Sequence, residues 1–212
     1  MPHIKDYVNI AEHCQRNWDQ TTPVSDDIIK AVVTSATNMP TKQNLEYYSL
    51  VVVQDHMIRK EINRLSVAPN DRKSVFINTQ MSAPVLLLWI GHNYKKKYWP
   101  KVKEDDTKEN AIKNTFTAIG ISSGAAALTA VEHGLKTGFC SCFHPDMDKY
   151  LKKHVTGRAN GIDAKLHVAL GIGYPAKGHP YNRVFLENMY VDKESHTKNI
   201  EVKYIKQNHN FA

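Results

Sequence analysis

Three predominantly apolar runs constrain the fold of this chain most. They occupy residues 50–53 (LVVV), 84–90 (PVLLLWI) and 165–172 (KLHVALGI). A strand with one solvated face alternates apolar and polar residues, so continuous runs are typical of strands covered on both faces. Helical patterns separate the runs along the chain. The sequence therefore predicts an α+β or mixed α/β fold built on an internal sheet.

Apolar residues at helical spacing predict the helices. Ser25 is an N-cap candidate with Asp26 and Asp27 in the first turn, and Gly134 is a C-cap candidate. The segment 111–134 is apolar nearly all round, which predicts one central, buried helix. The predicted helices span residues 4–14, 26–38, 56–65, 111–134 and 146–153.

Two shorter strands and one exposed excursion complete the predicted order. Residues 138–143 form a short strand and turn, and IEVKYI at 200–205 alternates like a half-buried edge strand. The lysine-rich residues 93–110 are predicted to be an exposed insertion or lid. We therefore expect one domain over residues 1–198 and a C-terminal extension over 199–212.

Charge and composition exclude several classes of protein. The 212 residues carry a net charge of +7, yet lysines alternate with acids and no RNA-binding or zinc-finger pattern accompanies them, so a nucleic-acid partner is not favoured. No stretch reaches the roughly 20 apolar residues of a membrane helix. The N-terminus has no secretory pattern, so we expect a cytoplasmic protein without a membrane partner.

The cysteines raise the question of a metal site. The chain has three cysteines, which is too few for a disulfide framework, so reduced thiols are expected. Cys140, Cys142 and His144 are residue types that bind zinc. A structural zinc site needs a second pair of ligands, and the sequence offers none. Buried, inert cysteines are the better interpretation, and we predict no metal.

Four polar or glycine-containing patches stand next to these elements. They are Arg16 in a polar turn, residues 40–44 (PTKQN) before a strand, residues 134–139 after a helix, and residues 171–175 after a strand. Each patch alone is explained by an ordinary surface ion pair or by turn chemistry. GxGxxG, GxxxxGK[ST] and HExxH motifs do not occur.

Taken in order, the patches resemble the nitroreductase-like family of FMN-dependent oxidoreductases. The matching motifs are Arg16-Asn17-Trp18 with Pro23-Val24-Ser25, Met39 to Asn44 before a valine-rich strand, Ala83-Pro84-Val85, the small-residue helix ending at Gly134-Leu135, and Gly173-Tyr174-Pro175. The resemblance covers residues 16–183. His13 and Cys14 stand where the family has Arg and Ser, Ala118 replaces an acidic residue, and Ser141-Cys142 replaces a glycine-containing pair.

The resemblance implies a homodimeric α/β/α sandwich with a central mixed sheet and FMN at the subunit interface. Arg16 and Arg183 would bind the phosphate, with His13 and Cys14 beside it. Pro40, Thr41, Lys42 and Asn44 would contact the ribityl chain and flavin edge, and backbone N–H groups of Ser141 and Cys142 would lie near the flavin N5. No catalytic side chain is implied, because the cofactor carries out the redox chemistry.

The implied activity is transfer of a hydride from NAD(P)H through FMN to a small electron acceptor, nitroaromatic or quinone-like. A specialised enzyme of the same fold, such as a dehalogenase-like or flavin-destroying one, is an alternative. A flavin-binding protein without turnover is another. Flavin colour distinguishes all of these from a nucleic-acid-binding protein, and bleaching by NAD(P)H distinguishes an enzyme from a carrier.

Overall fold

A computed structural model describes residues 3–69, 75–92, 108–155, 165–177 and 200. Two one-turn 3-10 helices, Lys42–Asn44 and Thr79–Ser82, join the longer elements. The helices are α1 (Ile4–Ala11), α2 (Asp26–Thr37), α3 (His56–Leu65), α4 (Lys108–Glu132) and α5 (Met147–His154). The strands are β1 (Tyr48–Val53), β2 (Val67–Pro69), β3 (Val75–Ile77), β4 (Val85–Gly91), β5 (Lys136–Cys140) and β6 (Lys165–Gly173). The predicted α+β class is confirmed.

The central sheet has four strands in the order β1-β4-β6-β5. All three neighbouring pairs are antiparallel, with Val51 opposite Leu88, Leu88 opposite Ala169, and Cys140 opposite Ala169. A mixed sheet also needs a parallel pair, and none occurs among these four strands. The predicted edge strand at 200–205 lies outside the described residues except for Ile200, which is exposed.

Strand β4 lies in the interior of the fold because every one of its residues is apolar or glycine, and all seven are buried. Leu86 and Leu88 point to one face, where they join a core that includes Met147 of α5. Leu87 and Trp89 point to the other face, in a core with residues of α2 and α4. The continuous apolar run therefore corresponds to a strand between two helical layers, as predicted.

The two helix caps that the sequence predicted, at Ser25 and Gly134, are present in the structure. The Ser25 hydroxyl accepts a hydrogen bond from the Ile28 N–H at the start of α2. Gly134 follows α4 with φ of +80°, a conformation that glycine adopts without steric cost. Strand β5 begins soon after this turn, at Lys136, two residues before the predicted start at residue 138. Helix α1 ends at Ala11, before the predicted residue 14.

The sequence analysis missed the short hairpin formed by β2 and β3, in which Val67 lies opposite Ile77. Strands of three residues are too short to show a periodic pattern. The hairpin leads into the 3-10 turn Thr79–Ser82, whose first residues are buried. This turn lies against the sheet and becomes part of the candidate site.

The prediction that helix α4 is buried all round was wrong. One face is buried and includes Ile119 and Ser122, whose hydroxyl accepts a hydrogen bond of 2.8 Å from the Trp89 indole N–H. The opposite face exposes Phe116 (53%) and Ile121 (42%). We call this face the α4 stripe; its residues are Ile112, Phe116, Gly120, Ile121 and Gly124. Within the described residues, α4 and the other helices are not long and apolar enough to cross a membrane.

We expect Gly171→Ala to destabilise the protein. A Cβ at this position would lie 2.3 Å from the Gln80 carbonyl oxygen and 2.7 Å from the Ala83 Cβ, so the 3-10 turn would have to move off β6. Overpacking of this kind costs about 1–3 kcal/mol. Urea unfolding of wild type and variant measures the loss. An unchanged free energy of unfolding would contradict this close packing.

Candidate functional site at the end of strand β5

The chain after α1 is held along the edge of the sheet by backbone hydrogen bonds. The Gln15 N–H donates to the Thr137 carbonyl at 2.7 Å, and the Asp19 N–H donates to the Tyr174 carbonyl at 2.9 Å. Arg16 lies between these two anchors and is half-buried. The sequence patch around Arg16 is therefore fixed beside the start of β5 and the end of β6.

Gly138 allows three chain segments to meet at this place. A Cβ on Gly138 would lie 2.6 Å from the Gln15 carbonyl oxygen and 2.7 Å from the Gln80 Cβ. The Gln80 side-chain amide also donates to the Phe139 carbonyl at 3.2 Å. The N-terminal segment, the 3-10 turn and β5 thus converge around a glycine that the sequence presented only as turn punctuation.

Buried polar atoms collect at this convergence. Gln80 is 4% exposed and Thr137 is 2% exposed. The Gln80 Oε1 and Thr137 Oγ1 atoms have no hydrogen-bond partner among the residues that the structure describes. Buried polar groups are normally hydrogen-bonded, so unsatisfied atoms call for an explanation such as water or a bound ligand. Sequence analysis missed Gln80, which belongs to no motif, and it included Thr137 only as part of the 134–139 patch, without a role of its own.

The three cysteines belong to the same region. Burial raises the pKa of the Cys140 thiol to about 12, and the neighbouring Cys142 and Cys14 thiols act in the same direction. The Cys142 carbonyl, which accepts a hydrogen bond from Cys140 Sγ, and the Arg16 charge oppose this rise in pKa. Arg16, Cys14 and the 140–142 turn are therefore within electrostatic range of one another.

The Cys140 thiol is buried, as the sequence indicated, and the raised pKa keeps it protonated at neutral pH. Cys142, in contrast, is exposed. In the described part of the chain, no three His, Cys, Asp or Glu side chains are arranged to hold a metal ion. His144 instead accepts a hydrogen bond from the Asp146 N–H at 3.2 Å and lies beside the Asp146 carboxylate.

The second predicted patch forms the loop that leads into β1. The Thr41 hydroxyl donates to the Leu45 carbonyl at 2.8 Å, which closes the loop on itself. Gln43 and Asn44 have φ of 58° and 54°, in the left-handed region. Pro40, Lys42 and Asn44 are exposed. The loop therefore exposes Lys42 and Asn44, whereas the Thr41 hydroxyl is bonded within it.

The structure places the two patches at opposite edges of the sheet. The loop at residues 40–44 precedes β1, whereas Arg16 and the 140–142 turn lie by β5. Strands β4 and β6 separate these edges, which at the usual strand spacing puts them about 14 Å apart. Within one chain, Cys14 and Arg16 lie along β5, the strand that leads into Ser141 and Cys142, whereas Thr41, Lys42 and Asn44 lie apart from them.

The structure describes one of the two remaining predicted site residues, His13, but not the other, Arg183. His13 is exposed and follows α1 directly, so it lies at the outer side of the N-terminal segment. Arg183 lies outside the described residues, as does the greater part of the predicted lid at 93–110.

Solved structures with the same architecture identify the fold. A nitroreductase with bound FMN from Bacteroides fragilis NCTC 9343 has a TM-score of 0.63 and 14% identity, over 95% of this chain and 100% of that one. A nitroreductase family protein from Clostridium novyi NT has a TM-score of 0.63 and 12% identity, over 83% of this chain and 87% of that one. The chain has the nitroreductase fold.

A further solved structure shares the fold, whereas comparisons of the sequence find no relative. Nitroreductase A from Vibrio parahaemolyticus RIMD 2210633 shares the nitroreductase fold with a TM-score of 0.63 and 16% identity, over 92% of this chain and 79% of that one. No protein-family model and no curated protein matches the sequence. The backbone arrangement, rather than overall sequence identity, carries the likeness.

Proposed function

We propose that this protein is an FMN-dependent oxidoreductase that passes electrons from NAD(P)H to a small acceptor, nitroaromatic or quinone-like. The observation that carries the proposal is the convergence of Arg16, the end of β5 and the unsatisfied buried Gln80 and Thr137 oxygens in a nitroreductase fold. A phosphorylated ligand with polar ring atoms fits such a set, because Arg offers a bidentate fork to phosphate.

Each patch would contact a different part of the cofactor. Arg16 would bind the phosphate together with Arg183, and His13 and Cys14 would lie nearby. The backbone N–H groups of Ser141 and Cys142 would face the flavin ring. Bound FMN would accept a hydride from NAD(P)H and pass electrons to the acceptor, while the chain supplies binding and orientation. The loop residues Pro40, Thr41, Lys42 and Asn44 would contact the ribityl chain and flavin edge.

A homodimer is part of the proposal, and the α4 stripe supports it. The stripe exposes the large apolar side chains of Phe116 and Ile121 on one long helix, where Lys113 and Thr117 are also exposed, and exposed apolar side chains grouped in this way favour an interaction site. Gly120 and Gly124 occupy the middle of the helix, and a Cβ on either would meet nothing within 4 Å. A second helix backbone can therefore approach closely at this point.

A two-fold axis at the middle of α4 would also reunite the two patches. The N-terminal half of α4 lies next to the 40–44 loop, since Ala111 and Ala118 pack with Tyr47. The C-terminal end of α4 leads through Gly134 into β5 and the Arg16 region. Two α4 helices packed antiparallel would bring the Arg16 patch of one subunit to the 40–44 loop of its partner. The separation of about 14 Å within one chain supports a site built from two chains.

Flavin binding and turnover test the proposal separately. We expect the purified protein to be yellow, or to become yellow on reconstitution with FMN, and to release FMN when heated. Anaerobic NAD(P)H should then bleach the flavin, and a nitroaromatic or quinone should restore the colour. A colourless protein that takes up no FMN would overturn the proposal.

The alternative functions predict different outcomes of the same experiment. Yellow protein that NAD(P)H does not bleach would indicate a flavin-binding protein without turnover. Bleaching without reoxidation by nitroaromatics or quinones would favour a specialised reaction of the dehalogenase-like kind. The lid at 93–110, the packing of the 199–212 extension on the partner subunit, and the cytoplasmic location stay predictions.

A further inference from the structure

Cys14 and Cys140 lie on the same face of β5, although many residues separate them in the chain. The Cys14 Sγ is 3.4 Å from the position that a Cβ on Gly138 would occupy. Side chains two positions apart in a strand point to the same face, so the Cys140 side chain and the Cys14 Sγ share one face of the strand.

The distance between the two cysteines can be bounded from a hydrogen bond. The Cys14 Sγ lies 3.9 Å from the Phe139 carbonyl oxygen, which belongs to the peptide that joins Phe139 to Cys140. In a planar trans peptide that oxygen is about 2.8 Å from the next Cα, so the Cys14 Sγ lies within roughly 7 Å of the Cys140 Cα. A disulfide requires the two Cα atoms to lie within about 7 Å of one another, so the N-terminal segment and β5 must hold the two cysteines at that separation when the bond forms.

We propose that Cys14 and Cys140 are a thiol pair that hydrogen peroxide oxidises to a disulfide. The half-buried Cys14 is accessible to a small oxidant, whereas Cys140 is buried. The Cys14 thiolate attacks one peroxide oxygen, the O–O bond breaks, and a sulfenic acid and water form. The Cys140 sulfur then attacks the Cys14 sulfur, loses its proton and displaces water. Overall, two thiols and one hydrogen peroxide give one disulfide and two waters.

The surroundings of Cys140 set the order of these steps. The thiol with the larger thiolate fraction reacts first with peroxide, and burial keeps Cys140 protonated. Cys140 is therefore the second thiol to react, and the Arg16 charge favours its thiolate at that stage. The disulfide would tie the segment that carries Arg16 to the strand that precedes Ser141 and Cys142. This modification goes beyond the proposed function and does not depend on bound FMN.

The test is peptide mapping of the folded protein after treatment with hydrogen peroxide. The experiment uses the Cys142→Ser variant, so that only Cys14 and Cys140 can pair. We expect a peptide linked through Cys14 and Cys140, reversible by dithiothreitol, together with loss of two titratable thiols per chain. Persistence of both thiols, or a product only of sulfinic and sulfonic acids, would overturn the proposal.

Two controls show whether the fold directs the pairing. In the wild-type protein, we expect the same Cys14–Cys140 link in the folded state. In urea, closing the short loop between Cys140 and Cys142 costs less entropy, so that link should predominate. A Cys140–Cys142 or intermolecular disulfide as the main product of the folded protein would contradict the assignment. Circular dichroism of the Cys142→Ser variant confirms that it is folded before oxidation.

Discussion

We expect Arg16→Ala to weaken FMN binding by about 10- to 150-fold. Hydrogen bonds to charged groups contribute about 1.5–3 kcal/mol each, which corresponds to this range of dissociation constants. Arg16 is half-buried between two backbone anchors, so the position of its backbone is fixed before the ligand binds. Fluorescence titration of the apoprotein with FMN measures the change.

The matched control is Arg64→Ala on α3. The Arg64 side chain is 66% exposed and forms a salt bridge of 2.6 Å with Glu61 on the same helix. Removal of this arginine should leave the FMN dissociation constant within twofold. If Arg16→Ala binds FMN as tightly as the control, Arg16 does not contact the phosphate.

We expect Ile121→Lys to weaken the dimer at least a hundredfold. Ile121 is 42% exposed in the single chain, so a lysine there is tolerated in the monomer. In a dimer formed through the α4 stripe, each subunit would bury a lysine near the two-fold axis, with its like charge close by. Burying an unpaired charge costs about 3 kcal/mol or more, which gives the hundredfold change. Sedimentation analysis over a dilution series measures it.

Met57→Lys on α3 is the control for this change. Met57 is 69% exposed and lies away from the α4 stripe, so the same added charge should leave the dimer intact. FMN occupancy is measured on the same samples, because a site shared between subunits should lose its flavin when the dimer dissociates. A dimeric Ile121→Lys protein would exclude the α4 stripe as the interface, whatever its flavin content.

Sequence and structure agree best where a local pattern decides the outcome. The apolar runs at 50–53, 84–90 and 165–172 became the strands β1, β4 and β6. Strand β4 is buried at every position, as such a run predicts, whereas β1 at the edge of the sheet is mostly half-buried. Ser25 and Gly134 formed the expected helix ends, since capping depends on a few neighbouring residues. The resemblance in motifs also pointed to the fold that the solved structures share.

The exposure of α4 could not be predicted in the same way. A helix that is apolar on all sides has no periodic pattern to tell a core face from a face that another subunit would cover. The tertiary structure covers the Ile119 and Ser122 side with the sheet and leaves Phe116 and Ile121 open. Only the arrangement of the neighbouring elements distinguishes the two faces.

By itself, the sequence determined the three long apolar strands and the helix ends, because these depend on residue type and short-range spacing. Only the tertiary structure decided which distant segments meet. It placed Cys14 by Phe139, 125 positions away, and enclosed Gln80 and Thr137 beside them. It also placed the 40–44 loop at the opposite edge of the sheet. Such neighbours depend on strand order and on close approach at Gly138 and Gly171, which no local pattern encodes.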